Sequence, residues 1–173
     1  MSILSGRYSS LLKSTKFWWA IAFLGTGLFG AALYWQHVLG EDPCQVCVHA
    51  RLWVLAIAFV GIIMALAPRT TIISVLGHLS LLGSAFGLGE RAYYLYEIEN
   101  FRGDGSCEFT LGMPYWFAVD RWLPSLFEVR NICSYTPTVA FGISMAEILI
   151  AVSLLLCLTS AVAVTIHVAR YTS

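Results

Sequence analysis

The chain has 173 residues, of which 58% are apolar or aromatic and only 12% carry a charge. A water-soluble domain carries about 25% charged residues, so this composition, with its mean hydropathy of +0.76, excludes a cytosolic enzyme and a disordered chain. Ten basic residues against ten acidic ones leave no basic excess for nucleic acid, and the solvent must be largely lipid.

Four apolar runs reach the roughly 20 residues that a membrane-crossing helix needs: residues 17–36, 48–67, 71–96 and 139–168. They must be helices, because lipid offers no partner for an unpaired backbone amide. The expected fold class is all-α integral membrane: one four-transmembrane-helix bundle over residues 1–173, with an N-terminal segment at 1–16, a first loop at 37–47 and a second at 97–138.

The N-terminal segment carries Arg7, Lys13 and Lys16 and no acid. The first span is long for a signal peptide and lacks a small-x-small cleavage site, so it reads as retained. Trp18, Trp19, Trp35 and Trp53 fall near expected span ends, as interfacial aromatics do. Gly25, Gly27 and Gly30 in span one, and Gly83 and Gly87 in span three, read as close helix packing. The first loop is acidic (Glu41, Asp42), and Pro68-Arg69-Thr70 joins spans two and three in a tight hairpin. The second loop holds six acids against three arginines, and the last span ends in His167 and Arg170. By the positive-inside rule both termini and the hairpin face the cytoplasm, and both acidic loops face outside.

Four of the five cysteines, Cys44, Cys47, Cys107 and Cys133, lie in the two outer loops, where oxidation is possible. Cys157 sits among leucines and reads as a small buried hydrophobe. In Cys44-Gln-Val-Cys47, Asp42 can serve as N-cap and Pro43 as the first helical residue. Cys44, Cys47 and Arg51 would then share one helix face, where a helix N-terminus and a guanidinium both favour a thiolate. That face continues through Leu55, Ala58 and Ile62, an apolar slot suited to a lipid-soluble electron acceptor such as a quinone. Competing readings are an Arg51 that snorkels to headgroups, a zinc half-site completed by His37 or His49, and a structural disulfide. A bridge across four residues closes too little chain to stabilise much, so redox use is favoured over the last.

Cys107 and Cys133 are 26 positions apart and by themselves read as a structural bridge of roughly 3.5 kcal/mol. Their polar flanks at 102–106 and 130–132 make an accessible, labile bridge the other reading. Between them, residues 114–127 are expected to form a short interfacial helix. Trp116, Val119, Trp122, Leu123 and Leu126 would share one side and Asp120, Arg121 and Ser125 the other, with Pro124 bending it. Glu147 and His78 are ionisable residues in expected spans and hence functional candidates by default; a structural or interfacial role is the favoured reading of each.

The chain resembles the DsbB family of bacterial inner-membrane disulfide-forming oxidases. The resembling stretches are Gln36-His37-Val38, Pro43-Cys44-Gln45-Val46-Cys47 with Arg51 four residues on, Ala67-Pro68-Arg69-Thr70, Ser84-Ala85-Phe86, Cys107-Glu108-Phe109, Pro114-Tyr115-Trp116, Asp120-Arg121-Trp122-Leu123-Pro124 and Cys133. They cover nearly the whole chain in order. The resemblance implies an inner-membrane thiol:quinone oxidoreductase with its redox loops in the periplasm, using ubiquinone or menaquinone. It implies that Cys44 and Cys47 exchange electrons with the quinone, Cys47 being the quinone-side sulfur and Arg51 stabilising the charge on the reduced ring. Gln36 matches a family position near the quinone. Cys107–Cys133 would reoxidise a periplasmic thioredoxin-fold partner of the DsbA type, with Cys107 the site of the mixed disulfide and Cys133 pairing transiently with Cys44. Because DsbA is itself a strong oxidant, its reoxidation needs a still more positive acceptor, which favours quinone over a glutathione-like couple. The chain departs from the family at the outer end of span three, where the family's histidine has no equivalent in 90–97. The alternatives are a vitamin K epoxide reductase-like four-span redox protein and a non-enzymatic, disulfide-stapled membrane scaffold.

Overall fold

The computed structural model describes residues 14–68, 70–100, 110–133, 138–140 and 142–172. Arg7, Lys13, Arg69, the 102–106 flank and Cys107 lie outside the described residues.

Helix α1 spans Thr15–His37, α2 Gln45–Leu66 and α3 Thr71–Glu99. Between α3 and the last helix come a 3-10 turn at Tyr115–Phe117, two single turns, α4 at Val119–Trp122 and α5 at Pro124–Phe127, and a small antiparallel ribbon of β1 (Thr138–Ala140) and β2 (Ile143–Ser144). The last helix, α6, runs over Met145–Thr172. Among the described residues, four helices are long and apolar enough to cross a membrane. They form an all-α bundle in which α1 packs on α2, α2 on α3 and α3 on α6. Apolar residues face both ways: Leu81, Ala85 and Leu88 fill the core while Phe23, Phe59, Phe86 and Leu158 stand on the outside. A helix apolar all round is what a lipid solvent selects.

The helix ends follow local chemistry. Ser14 and Thr70 accept from the N–H three residues on and open α1 and α3, satisfying donors that no helical carbonyl can reach. α2 stops before Ala67, which is extended because the following proline disfavours a helical conformation there. α6 starts later than residue 139. β1 pairs antiparallel with β2 and Gly142 turns with φ +79°, so the apolar run enters as a β-ribbon before it becomes a helix. Glu147 belongs to this start. Its carboxylate accepts from the Ser144 N–H at 2.9 Å while the Ser144 hydroxyl accepts from the Glu147 N–H at 3.3 Å, a reciprocal capping box that gives this acid a structural role.

The single interfacial helix expected over 114–127 is three separate turns. Leu123 (φ −136°, ψ 66°) cannot be helical before Pro124, and Ala118 (ψ 67°) breaks the chain once more. Trp116 and Trp122 are exposed, whereas Val119 and Phe127 turn inward against Val48 and Leu111. Among the glycines read as packing contacts, Gly25 lies on Ala58 and Gly87 under the Trp53 ring, while Gly27, Gly30 and Gly83 face open space. Trp18 is a core residue rather than an interfacial one, its ring tilted against His78 with centres 4.8 Å apart. Trp53 is spent on the α2–α3 contact.

Candidate functional site

The Cys44–Cys47 segment opens α2 in a way the sequence does not show. Cys44, not Asp42, is the N-cap. Its backbone is extended (φ −83°, ψ 168°) and its sulfur accepts from the Cys47 N–H at 3.3 Å. A residue outside the helix does not obey the helical face rule, so it is the contact with Cys47, and not helical periodicity, that places the Cys44 sulfur. The two sulfurs remain 2.6 Å apart. The Cys47 thiol donating to it holds the Cys44 thiol below the ordinary cysteine range, against the effect of burial, and the backbone N–H groups at the start of α2 add to this.

Both cysteines of the pair pack at one buried cluster, and Cys47 also reaches a cavity. Cys44 lies in a buried cluster with Cys133, Leu95, Ile98 and Ala146. The pairing is set by backbone. The N–H groups of Arg130 and Asn131 donate to the Pro43 carbonyl at 3.0 and 3.3 Å, and Asn131 bridges to Cys44 in parallel register. Cys133, two residues further on, is disulfide-bonded and buried. Cys47 also lines a cavity of about 150 Å³ with Arg51, walled by Leu28, Ala31 and Ala32 of α1, Ala50 and Val54 of α2, Leu95 of α3 and Met145, Ile148 and Leu149 of α6. Glu41, Asp42, Pro43 and Asn131 line it as well. A cavity of that size accommodates one six-membered aromatic ring.

Arg51 is 6% exposed and does not snorkel. One guanidinium nitrogen donates to Gln36 Oε1 at 2.5 Å and to the Leu126 carbonyl at 2.9 Å, the other to the Ala32 carbonyl at 3.3 Å. All three acceptors are neutral, so the fork is held without its charge being cancelled by them. Gln36 does not line the cavity. It stands behind Arg51, accepting from it and donating to the Ser125 carbonyl at 3.2 Å, so α5 is fastened over the site through this pair.

The slot expected along Leu55, Ala58 and Ile62 is not the cavity. Ala58 is spent against Gly25, and Leu55 packs with Leu52, Phe29 and the second loop. The walls supplied by α1, α3 and α6, and the Pro43–Asn131 pairing, were missed by sequence reasoning, which marks none of them. Leu95 lines the cavity from the C-terminal part of α3. His78 lies far down α3, buried beside Phe17, Trp18 and His167.

A family model described as "Disulfide bond formation protein DsbB" matches residues 14–163. The chain is 36% identical over 143 residues to "Disulfide bond formation protein B 2" of Pseudomonas aeruginosa, covering 80% of this chain and 85% of the relative. It is 33% identical over 132 residues to "Disulfide bond formation protein B" of Shewanella denitrificans, covering 75% of each. With the protein of that name from Shewanella amazonensis it shares 32% identity over 140 residues, 80% of this chain and 82% of the relative.

Proposed function

The chain belongs to the DsbB family, and from that membership we propose that it is a quinone-dependent thiol oxidase that reoxidises a periplasmic dithiol protein of the DsbA type. In this reading it is a multi-pass inner-membrane protein with both termini cytoplasmic and both cysteine loops in the periplasm. Electrons pass from the partner to Cys107–Cys133, then to Cys44–Cys47, then to ubiquinone or menaquinone.

One observation carries the reading: the Cys44–Cys47 pair joins two regions. Both cysteines pack at the buried cluster that holds Cys133, and Cys47 also lines the cavity it shares with Arg51. A pair so placed can take electrons on one side and release them on the other. The cavity residues fit a quinone. Its walls are mostly apolar, its volume suits a single ring, and Arg51 brings a positive charge held by neutral acceptors to a lining that also includes Glu41 and Asp42. Cys47 and Arg51 would hold the ring, with Gln36 acting behind Arg51. When bound, a quinone supplies a two-electron, two-proton acceptor.

The chain's own steps are thiol–disulfide exchanges through mixed disulfides. A DsbA-type thiolate attacks Cys107, and Cys133 leaves as a thiolate. Cys133 then attacks Cys44 of an oxidised Cys44–Cys47 bond, and Cys47 leaves as a thiolate beside Arg51. The partner's second thiolate releases the partner as a disulfide and frees Cys107, which displaces Cys44 from Cys133. This restores Cys107–Cys133 and leaves Cys44–Cys47 reduced. The backbone N–H groups at the start of α2, which lower the pKa of Cys44, make it a better leaving group in that last displacement.

The test is quinone reduction by the purified full chain in detergent, with a short-chain ubiquinone and a reduced DsbA-type protein. The expected result is catalytic turnover that Cys47→Ser reduces to background. Full turnover by Cys47→Ser would contradict the reading.

A further inference from the structure

The cavity that holds Cys47 and Arg51 has two further ionisable neighbours, which the relay above leaves unused. Glu41 and Asp42 line it, whereas the walls from α3 and α6 (Leu95, Met145, Ile148 and Leu149) and Asn131 of the second loop carry no ionisable group. The placement of Glu41 follows from how α1 ends. Gly40 turns with φ +74°, in the left-handed region that favours glycine, and the Glu41 N–H donates back to the Trp35 carbonyl at 3.0 Å. A bond of that reach past a left-handed glycine is the Schellman way of closing a helix, and it folds the first loop back over the end of α1. Trp35 and Glu41 therefore border the cavity together. Asp42 is exposed and Glu41 half-buried, so the lining runs from solvent at Asp42 inward to Glu41. Arg51 gives its donors to Gln36, Ala32 and Leu126 rather than to Glu41.

The oxidase reading, on which this inference rests, needs protons at the cavity as well as electrons. Cys47 lines the cavity and Cys44 does not, so one of the two thiol protons starts away from it. A guanidinium keeps its protons, so Arg51 can steady charge there but cannot pass a proton on. A carboxyl group can. We propose that Glu41 is the proton-carrying residue of this cavity, taking a proton from water on the Asp42 side and releasing it inward as the Cys44–Cys47 bond closes. The step balances. Both S–H bonds break, the S–S bond forms, and two electrons leave the sulfurs for the quinone. The Cys47 proton and one from Glu41 go with them. The Cys44 proton passes to water, and Glu41 regains its own from water.

The experiment uses the full chain in detergent, a short-chain ubiquinone, a reduced DsbA-type protein and two substitutions. Glu41→Gln keeps the size of the side chain and removes the carboxyl, and Glu41→Ala leaves room for a small acid. A positioned proton-transfer group contributes about 10²–10⁴-fold, so each variant is expected to lose about 100-fold in kcat while the KM for quinone stays near wild type. The residual kcat should rise, relative to wild type, as pH falls and protons reach the cavity directly from water. Added formate should restore kcat in Glu41→Ala, and chloride at the same ionic strength should not. A second readout does not depend on turnover. Quinone binding, followed by quenching of tryptophan fluorescence, should give the wild-type Kd in both variants and shows at the same time that they are folded. Wild-type kcat in both variants, a loss that formate does not relieve, or a Kd weakened enough to account for the loss overturns the proposal while the oxidase reading stands. A wild-type chain that reduces no quinone overturns the oxidase reading and this one with it, and is recognised before any substitution at Glu41.

Discussion

The two ends of the bundle bury ionisable side chains in opposite settings. At the cysteine end, Arg51 gives its donors to Gln36, Ala32 and Leu126, and it borders a cavity that also reaches the Cys47 sulfur. At the far end, His78 and His167 lie with ring centres 5.8 Å apart, and Trp18 and Phe17 pack over His78. Both groups are withdrawn from solvent, and among the described residues it is Arg51 that shares a cavity with a cysteine. Burial of a charged or titratable residue marks a site only when such neighbours come with it.

The sharpest way to break this comparison is at Arg51. Arg51→Ala removes charge-assisted hydrogen bonds, each of about 1.5–3 kcal/mol, and should lower kcat/KM for quinone by about 10- to 100-fold. Arg51→Lys should not restore it, because one ammonium cannot reproduce a fork that binds α1 and the second loop together. Steady-state kinetics against quinone concentration checks both; an unchanged KM in Arg51→Ala would remove Arg51 from the cavity's function.

Packing toward the far end is tested at Gly61. A Cβ there would sit 2.5 Å from the Ala22 backbone nitrogen and 3.0 Å from the Trp18 carbonyl, and these are backbone atoms that cannot swing aside. Gly61→Ala should cost about 1–3 kcal/mol, read as a lowered Tm in detergent, with activity per folded molecule retained. A loss of specific activity without a loss of Tm would contradict the separation of the two ends.

The sequence showed much of this fold and less of the site. Apolar runs are local signals, so α1, α2 and α3 begin and end within a few residues of where hydropathy places them. The start of α6 was illegible because residues 139 and 143 are as apolar as a helix would need, and only the turn at Gly142 and the Ser144–Glu147 cap separate ribbon from helix. Cys47 and Arg51 were legible as an i, i+4 pair. The orientation of Cys44 was not, because Asp42 and Pro43 are as good a helix start on paper as the sulfur that caps α2. The cavity walls come from α1, α3 and α6, and no pattern within one segment announces which of their faces meet.

Cys44 offers a smaller, pH-dependent test. Its pKa is lower in the folded, reduced chain than in the unfolded one, so its contribution to stability is present above the unfolded pKa and lost as pH falls through the folded value. The stability difference between reduced wild type and Cys44→Ala should therefore grow as pH rises through the thiol range. A difference that shrinks with rising pH would contradict the thiolate placement. The smallest effect is expected from His78→Phe, which keeps an aromatic ring beside Trp18 and should leave quinone kinetics unchanged. A large loss would give the far end a function after all.

The most direct measurement is the disulfide map of the oxidised Cys47→Ser chain, read by peptide mass spectrometry. A Cys44 beside Cys133 attacks that sulfur of the loop disulfide and releases the Cys107 thiolate, so a Cys44–Cys133 bond with Cys107 free is predicted as the main species. Cys44 recovered free with Cys107–Cys133 intact would contradict the account.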